Sequence, residues 1–109
     1  MDSKDRKNIE KIIEHGQSII AETKGIKNAT EFKANNLKSK SALFDLLQIG
    51  ELTKNLSSSF INETPNIPWI NIYNLRNRIV HGYADVDYEI IWETIKINIP
   101  ELISELKRL

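Results

Sequence analysis

From Tyr88 to Leu109 the apolar residues recur at helical spacing: Tyr88, Ile91, Trp92, Ile95, Ile99, Leu102, Ile103, Leu106 and Leu109. At about 100° per residue they fall on one stripe, which a chain can hide only by laying a helix against other helices. Three further segments carry the same periodicity. No stretch alternates with period two, so the sequence reads as all-α.

The first segment, about Lys4 to Thr23, puts Ile9, Ile12, Ile13, Ile19 and Ile20 on a narrow stripe with Gly16 on the same line, where a second helix can come close. Gly25 ends this helix and Thr30 is placed to cap the next, which is predicted from Phe32 to Leu56. There Ala42, Leu43, Phe44, Leu46, Leu47, Ile49, Leu52 and Leu56 cover most of the circumference, marking a central helix. The stretch from Ser57 to Pro68 shows no helical stripe and contains two prolines, so it reads as a break. Pro68 suits the start of a third helix ending near His81, and Gly82 suits a left-handed stop. The fourth helix begins near Asp85 or Asp87, and Pro100 predicts a kink or restart near Ile99. Residues 1–109 are therefore expected to form one domain, a compact antiparallel bundle of four to five helices.

Composition narrows what such a bundle can do. The chain has no cysteine, which excludes disulfides and thiolate catalysis and is compatible with a reducing compartment. Its two histidines are far apart in sequence and make a poor metal cage, so no metal site and no cofactor is expected. No apolar run approaches the roughly 20 residues of a membrane span, and a cytoplasmic protein is expected. Lys plus Arg equals Asp plus Glu at 15 each, so any contact with nucleic acid has to be local.

One residue breaks the pattern. On the third helix Trp69, Ile72, Tyr73, Ile79 and Val80 define the apolar face, and Arg76 falls near its middle. Asn71, Asn74, Asn77 and Arg78 lie on the other side, so Arg78 reads as an ordinary solvated charge. A buried guanidinium without a partner costs several kcal/mol, so Arg76 either pairs with a carboxylate or lines a polar cleft. Glu51, on the central helix, is the candidate partner. His81 lies five positions on, about 140° around an ideal helix. The two side chains therefore meet only if the arginine reaches along the helix, the last turn distorts, or a second subunit contributes. On spacing alone His81 reads as a cap or surface residue at a helix end and Tyr83 as a packing residue between the third and fourth helices, while His15 reads as a surface residue off the first helix's stripe.

With Tyr83 the segment becomes Arg-x4-His-x-Tyr, and here the chain resembles the HEPN superfamily, in particular its HepT-like branch of toxin–antitoxin ribonucleases. The resemblance spans nearly the whole chain: Leu47-Gln48-Ile49-Gly50-Glu51, Ile67-Pro68-Trp69, Leu75 to Tyr83, Ile91-Trp92 and Ile99-Pro100-Glu101-Leu102 recur in order and spacing. The lysine- and asparagine-rich run Lys33 to Lys40 shows no strong family feature. The resemblance implies a dimer whose third-helix motifs share a cleft, and a metal-independent endoribonuclease in which Arg76 and His81 are catalytic, with Glu51, Asn77 and Gly82 supporting them. It also implies a type VII-like toxin–antitoxin system. The partner would be a minimal nucleotidyltransferase antitoxin, possible in a higher hetero-oligomer, that transfers AMP to Tyr83. The competing reading is a non-catalytic helical module, a dimerising or substrate-presenting subunit of a nucleotidyltransferase. Arg76 is then purely structural.

Overall fold

The computed structural model describes residues 1–82 and 85–109; Tyr83 and Ala84 lie outside the described residues. Every regular element among the described residues is helical: α1 (Ser3–Thr23), α2 (Ala29–Ala34), α3 (Asn36–Lys54), α4 (Ser58–Glu63), α5 (Trp69–His81), α6 (Tyr88–Glu93), a π-helical turn (Thr94–Asn98) and α7 (Ile99–Lys107). The smallest dimension is 20 Å, about two helix diameters, so the bundle is two layers thick.

Short polar side chains set the helix boundaries. Asp2 accepts from the Asp5 amide at the start of α1, and Asn28, not Thr30, caps α2 through the Glu31 amide. The single central helix expected from Phe32 to Leu56 is broken at Asn35, whose backbone leaves the helical region (φ −89°, ψ 86°) while its side chain caps α3 at Lys38. Asparagine competes with the helical ladder in this way, and apolar periodicity cannot register it. The Ser57–Pro68 stretch is also more ordered than expected. Ser57 caps α4, whose Phe60 packs on Trp69 with ring centroids 6.1 Å apart. The Trp69 indole N–H donates to Thr64 Oγ1 at 2.9 Å, fixing the start of α5.

Cross-links between α1 and α3 show that they run antiparallel. Glu22 accepts from Ser41, His15 pairs with Asp45, Asn8 donates to the Asn55 carbonyl and Asp5 accepts from Ser57. As one number falls the other rises. His15 is therefore half-buried and bonded across the interface at 2.9 Å, not a free surface residue. Gly16 faces α7, where a Cβ would lie 2.8 Å from Ile103 Cδ1, so its small size does admit a close neighbour.

Asp5 is buried, and the hydroxyl and amide of Ser57 donate to its carboxylate at 2.5 and 2.9 Å. These bonds favour the ionised form and hold the Asp5 carboxyl below its ordinary value of 3.8. A depressed folded-state value contributes stability above the unfolded value and loses it as pH falls through the folded one. The urea midpoint of wild type should therefore drop between neutral and strongly acidic pH by more than that of Asp5→Asn. Equal drops would show that the clasp contributes nothing.

Past Glu93 the last helix widens into a π turn, with the Ile99 amide bonded to the Thr94 carbonyl. Pro100 has no amide to give Lys96 and its ring would press on that carbonyl, so the chain opens by one residue before α7 continues. The restart expected near Ile99 is found there. Among the described residues no helix is long and apolar enough to cross a membrane.

Candidate functional site

Gly50 is what lets α3 and α5 meet at the arginine. A Cβ on Gly50 would clash with Arg76 Cβ and lie 2.6 Å from its Cγ. With no side chain on α3, the stem of Arg76 lies directly across the central helix and its head emerges beside Glu51. Arg76 Nε donates to Glu51 Oε1, Nη2 makes an ion-pair contact with the same oxygen, and Nη1 donates to Asn77 Oδ1 at 2.8 Å. The guanidinium carbon sits 5.8 Å from the centre of the Tyr73 ring, adding a cation–π contact. The arginine side chain is 18% exposed and the glutamate 36%, so this is an ion pair at the edge of the core.

A guanidinium has five N–H donors. Two donate hydrogen bonds among the described residues and Nη2 is in ion-pair contact with Glu51, which leaves at least one donor on each Nη, the fork that matches two oxygens of a phosphate. Asn77, assigned from spacing to the far side of the helix, is half-buried and part of this constellation. Its side chain is drawn around α5 by the arginine.

His81 is the last residue of α5 and is exposed. It lines a concavity of about 380 Å³ with Arg78, Gly82, Asp85, Val86, Asp87 and Ile90. Arg76 does not line it. Within one chain the structure thus brings Glu51, Arg76 and Asn77 together and leaves His81 on a neighbouring surface, as the 140° offset requires. The arginine that does share the histidine's concavity is Arg78, which had read as a mere solvated charge.

Gly82 is not left-handed: its φ is −138°, and α5 closes with its amide on the Arg78 carbonyl at 2.9 Å. A Cβ there would stand 3.2 Å from that carbonyl oxygen, a tight contact that a small backbone shift relieves. Tyr83, the proposed modification position, lies outside the described residues.

Four side chains placed on apolar stripes lie outside the core, Ile20 and Leu109 among them. Val80 is 44% exposed on α5, and Phe44 is 57% exposed on α3. Lys40, Phe44, Leu47 and Glu51 follow one another at spacings of four, three and four, which puts them on one face of α3. Ile90 and Ile97, which had suggested a second contact surface on the last helix, are also exposed.

Gly50→Ala should be one of the most damaging single-methyl additions in the chain. Alanine is the better helix former, yet its methyl would force α5 off α3, a cost of about 1–3 kcal/mol for overpacking of this kind. Gly16→Ala meets only the flexible end of Ile103 and should cost less. Thermal unfolding of both variants checks the order, and a Gly50→Ala protein as stable as wild type would mean that the α3–α5 contact is looser than described.

The chain matches the family described as Ribonuclease HepT-like over residues 7–109. It is 34% identical to a protein of Methanocaldococcus jannaschii described as a candidate RNase, over 90% of this chain and 80% of that one. It is likewise 34% identical to a candidate RNase of Caldanaerobacter subterraneus, over 93% and 89%. A probable ribonuclease HepT of Thermococcus cleftensis is 36% identical over 56% of each chain. No solved structure matches the chain. With the family matched across nearly all of its length, this chain belongs to the HepT-like family of ribonucleases and is an RNase by that membership.

Proposed function

We propose that the protein is a homodimeric endoribonuclease toxin in which Arg76 and His81 cleave RNA by activating the substrate's own 2′-hydroxyl. The observation that carries this reading is the guanidinium of Arg76, locked by Glu51 and Asn77 with one donor on each Nη to spare, on the same helix as an exposed histidine. In the reaction the 2′-oxygen bonds to phosphorus as the bond to the 5′-oxygen breaks. His81 takes the proton of the 2′-hydroxyl or supplies one to the departing 5′-oxygen, and Arg76 stabilises the charge growing on the phosphoryl oxygens.

A dimer is part of the proposal because one chain separates its arginine from its histidine. The exposed Val80 and Phe44 beside these residues support pairing of this face with a second copy, which would set the arginine of one protomer near the histidine of the other. We assign Tyr83 as the position at which a cytoplasmic nucleotidyltransferase antitoxin adds AMP. Negative charge two residues from His81 would repel RNA phosphate.

Purified protein incubated with RNA and a chelator tests the enzyme reading: cleavage supports it, and intact RNA beside a folded dimer rejects it. Mass spectrometry after co-expression with the antitoxin tests the silencing. An unmodified Tyr83 in a neutralised complex would mean inhibition by binding alone.

A further inference from the structure

Residues 24–40 carry Lys24, Lys27, Lys33, Lys38 and Lys40 against one acid, Glu31. Five minus one gives +4 for this stretch, so the remainder of a chain with net charge zero sums to −4. We propose that this lysine shelf, made by the α1–α2 turn, α2 and the start of α3, is a docking site for the phosphate backbone of RNA and feeds it to the site. The inference rests on the ribonuclease reading and adds to it where the substrate strand lies.

The lysines are available for such a role. Lys24, Lys27, Lys33 and Lys40 are exposed and Lys38 is half-buried. The ion pairs among the described residues are His15–Asp45, Arg76–Glu51 and Arg108–Glu105, and none includes a shelf lysine. The one acid within the shelf, Glu31, is exposed, and its carboxylate accepts from the Lys27 amide at 2.8 Å. Lys33 is also held in place, with Nζ 5.7 Å from the centre of the Tyr88 ring, and Lys96 stands 5.4 Å over Trp92 on the adjoining helix. A cation already held over a ring loses less freedom when it meets a phosphate.

Position links the shelf to both halves of the site. Lys33 lines a concavity with Ala29, Thr30, Val86, Asp87 and Glu89, and Val86 and Asp87 also wall the concavity of His81. On the other side Lys40 begins the α3 face that passes Phe44 and Leu47 to reach Glu51 and the arginine. Asp87 accepts from the Glu89 and Ile90 amides at the start of α6, and the exposed acids Asp85, Asp87 and Glu89 bound the path of the strand on that side with negative charge. Without net positive charge there is no long-range pull on RNA, so a local cluster has to supply the sequence-blind part of binding.

The test compares two full-length variants of equal charge. One carries Lys24→Gln, Lys27→Gln, Lys33→Gln and Lys40→Gln; the other carries Lys4→Gln, Lys7→Gln, Lys54→Gln and Lys107→Gln at the outer helix ends. Cleavage of a single-stranded RNA is followed from about 50 to 200 mM salt. The shelf variant should keep kcat, raise KM by about tenfold or more and flatten the slope of log KM against log salt by about 2 to 3, at ~0.7 per lost phosphate contact. The control variant should stay near wild type. Wild-type protein that cleaves no RNA overturns the enzyme reading and the shelf with it. Cleavage with KM and slope alike in the two variants overturns the shelf alone, as does a shelf variant that keeps wild-type KM but no longer binds its antitoxin, which would make the shelf a protein interface.

Discussion

Replacing His81 by alanine is expected to lower kcat for RNA cleavage by about 10²–10⁴-fold, the range for loss of a positioned proton-transfer group, while leaving the unfolding temperature unchanged. The second half follows from its surroundings. His81 is exposed at the end of α5 and its side chain makes no hydrogen bond among the described residues, so its loss strands no partner. The other histidine is the built-in contrast. His15 is bonded to Asp45, whose side chain is only 10% exposed, and His15→Ala leaves that carboxylate without its partner at a cost of about 1–3 kcal/mol. It should lose stability and keep activity. If His15→Ala were the inactive variant and His81→Ala cleaved RNA at the wild-type rate, the site would have been placed on the wrong face.

The second large effect is expected at Arg76. Alanine there removes the donors aimed at the transition-state charge, which typically costs 10²–10³-fold in kcat. It also releases Glu51, but that carboxylate is 36% exposed and water can take over its solvation, so the stability loss should be about 1 kcal/mol or less. Lysine keeps the charge without the fork that spans Glu51, Asn77 and a phosphate, so Arg76→Lys should stay as slow as alanine within about tenfold. Activity and urea unfolding of the three proteins separate the readings. A folded, inactive Arg76→Ala supports catalysis. A variant that unfolds outright would instead make the arginine structural, as in a subunit that only presents substrate to a nucleotidyltransferase.

The repeat of apolar residues from Ile9 to Leu106 was sufficient to read the all-α bundle, because burial on helix faces is what that repeat records. Features held by single polar contacts left no mark on it. Asn35 breaks the central helix through its own side chain, Ser57 starts a helix too short to show a stripe, and the His15–Asp45 pair joins residues 30 positions apart. Phe44 is apolar and exposed, which no periodicity separates from a core residue when the helix is apolar nearly all round. Arg76 was legible as an anomaly since a charge on an apolar stripe needs a partner. The clearance that seats it was not, because a glycine in mid-helix says nothing of which side chain will cross it. The separation of Arg76 from His81 did follow from spacing, and the presence of Arg78 beside the histidine did not, since a residue on the solvent side of a helix can still border a concavity.

The nucleophile is the centre of the mechanism, and one substitution in the substrate isolates it. A single-stranded RNA and the same strand with a deoxynucleotide on the 5′ side of the scissile phosphate are incubated with the wild-type protein, and the product ends are identified by mass spectrometry. Attack by the 2′-hydroxyl predicts cleavage of the RNA to 2′,3′-cyclic phosphate and 5′-hydroxyl ends, with the deoxy-substituted bond left intact. Equal cleavage of that bond would show that water, not the substrate's own hydroxyl, is the nucleophile.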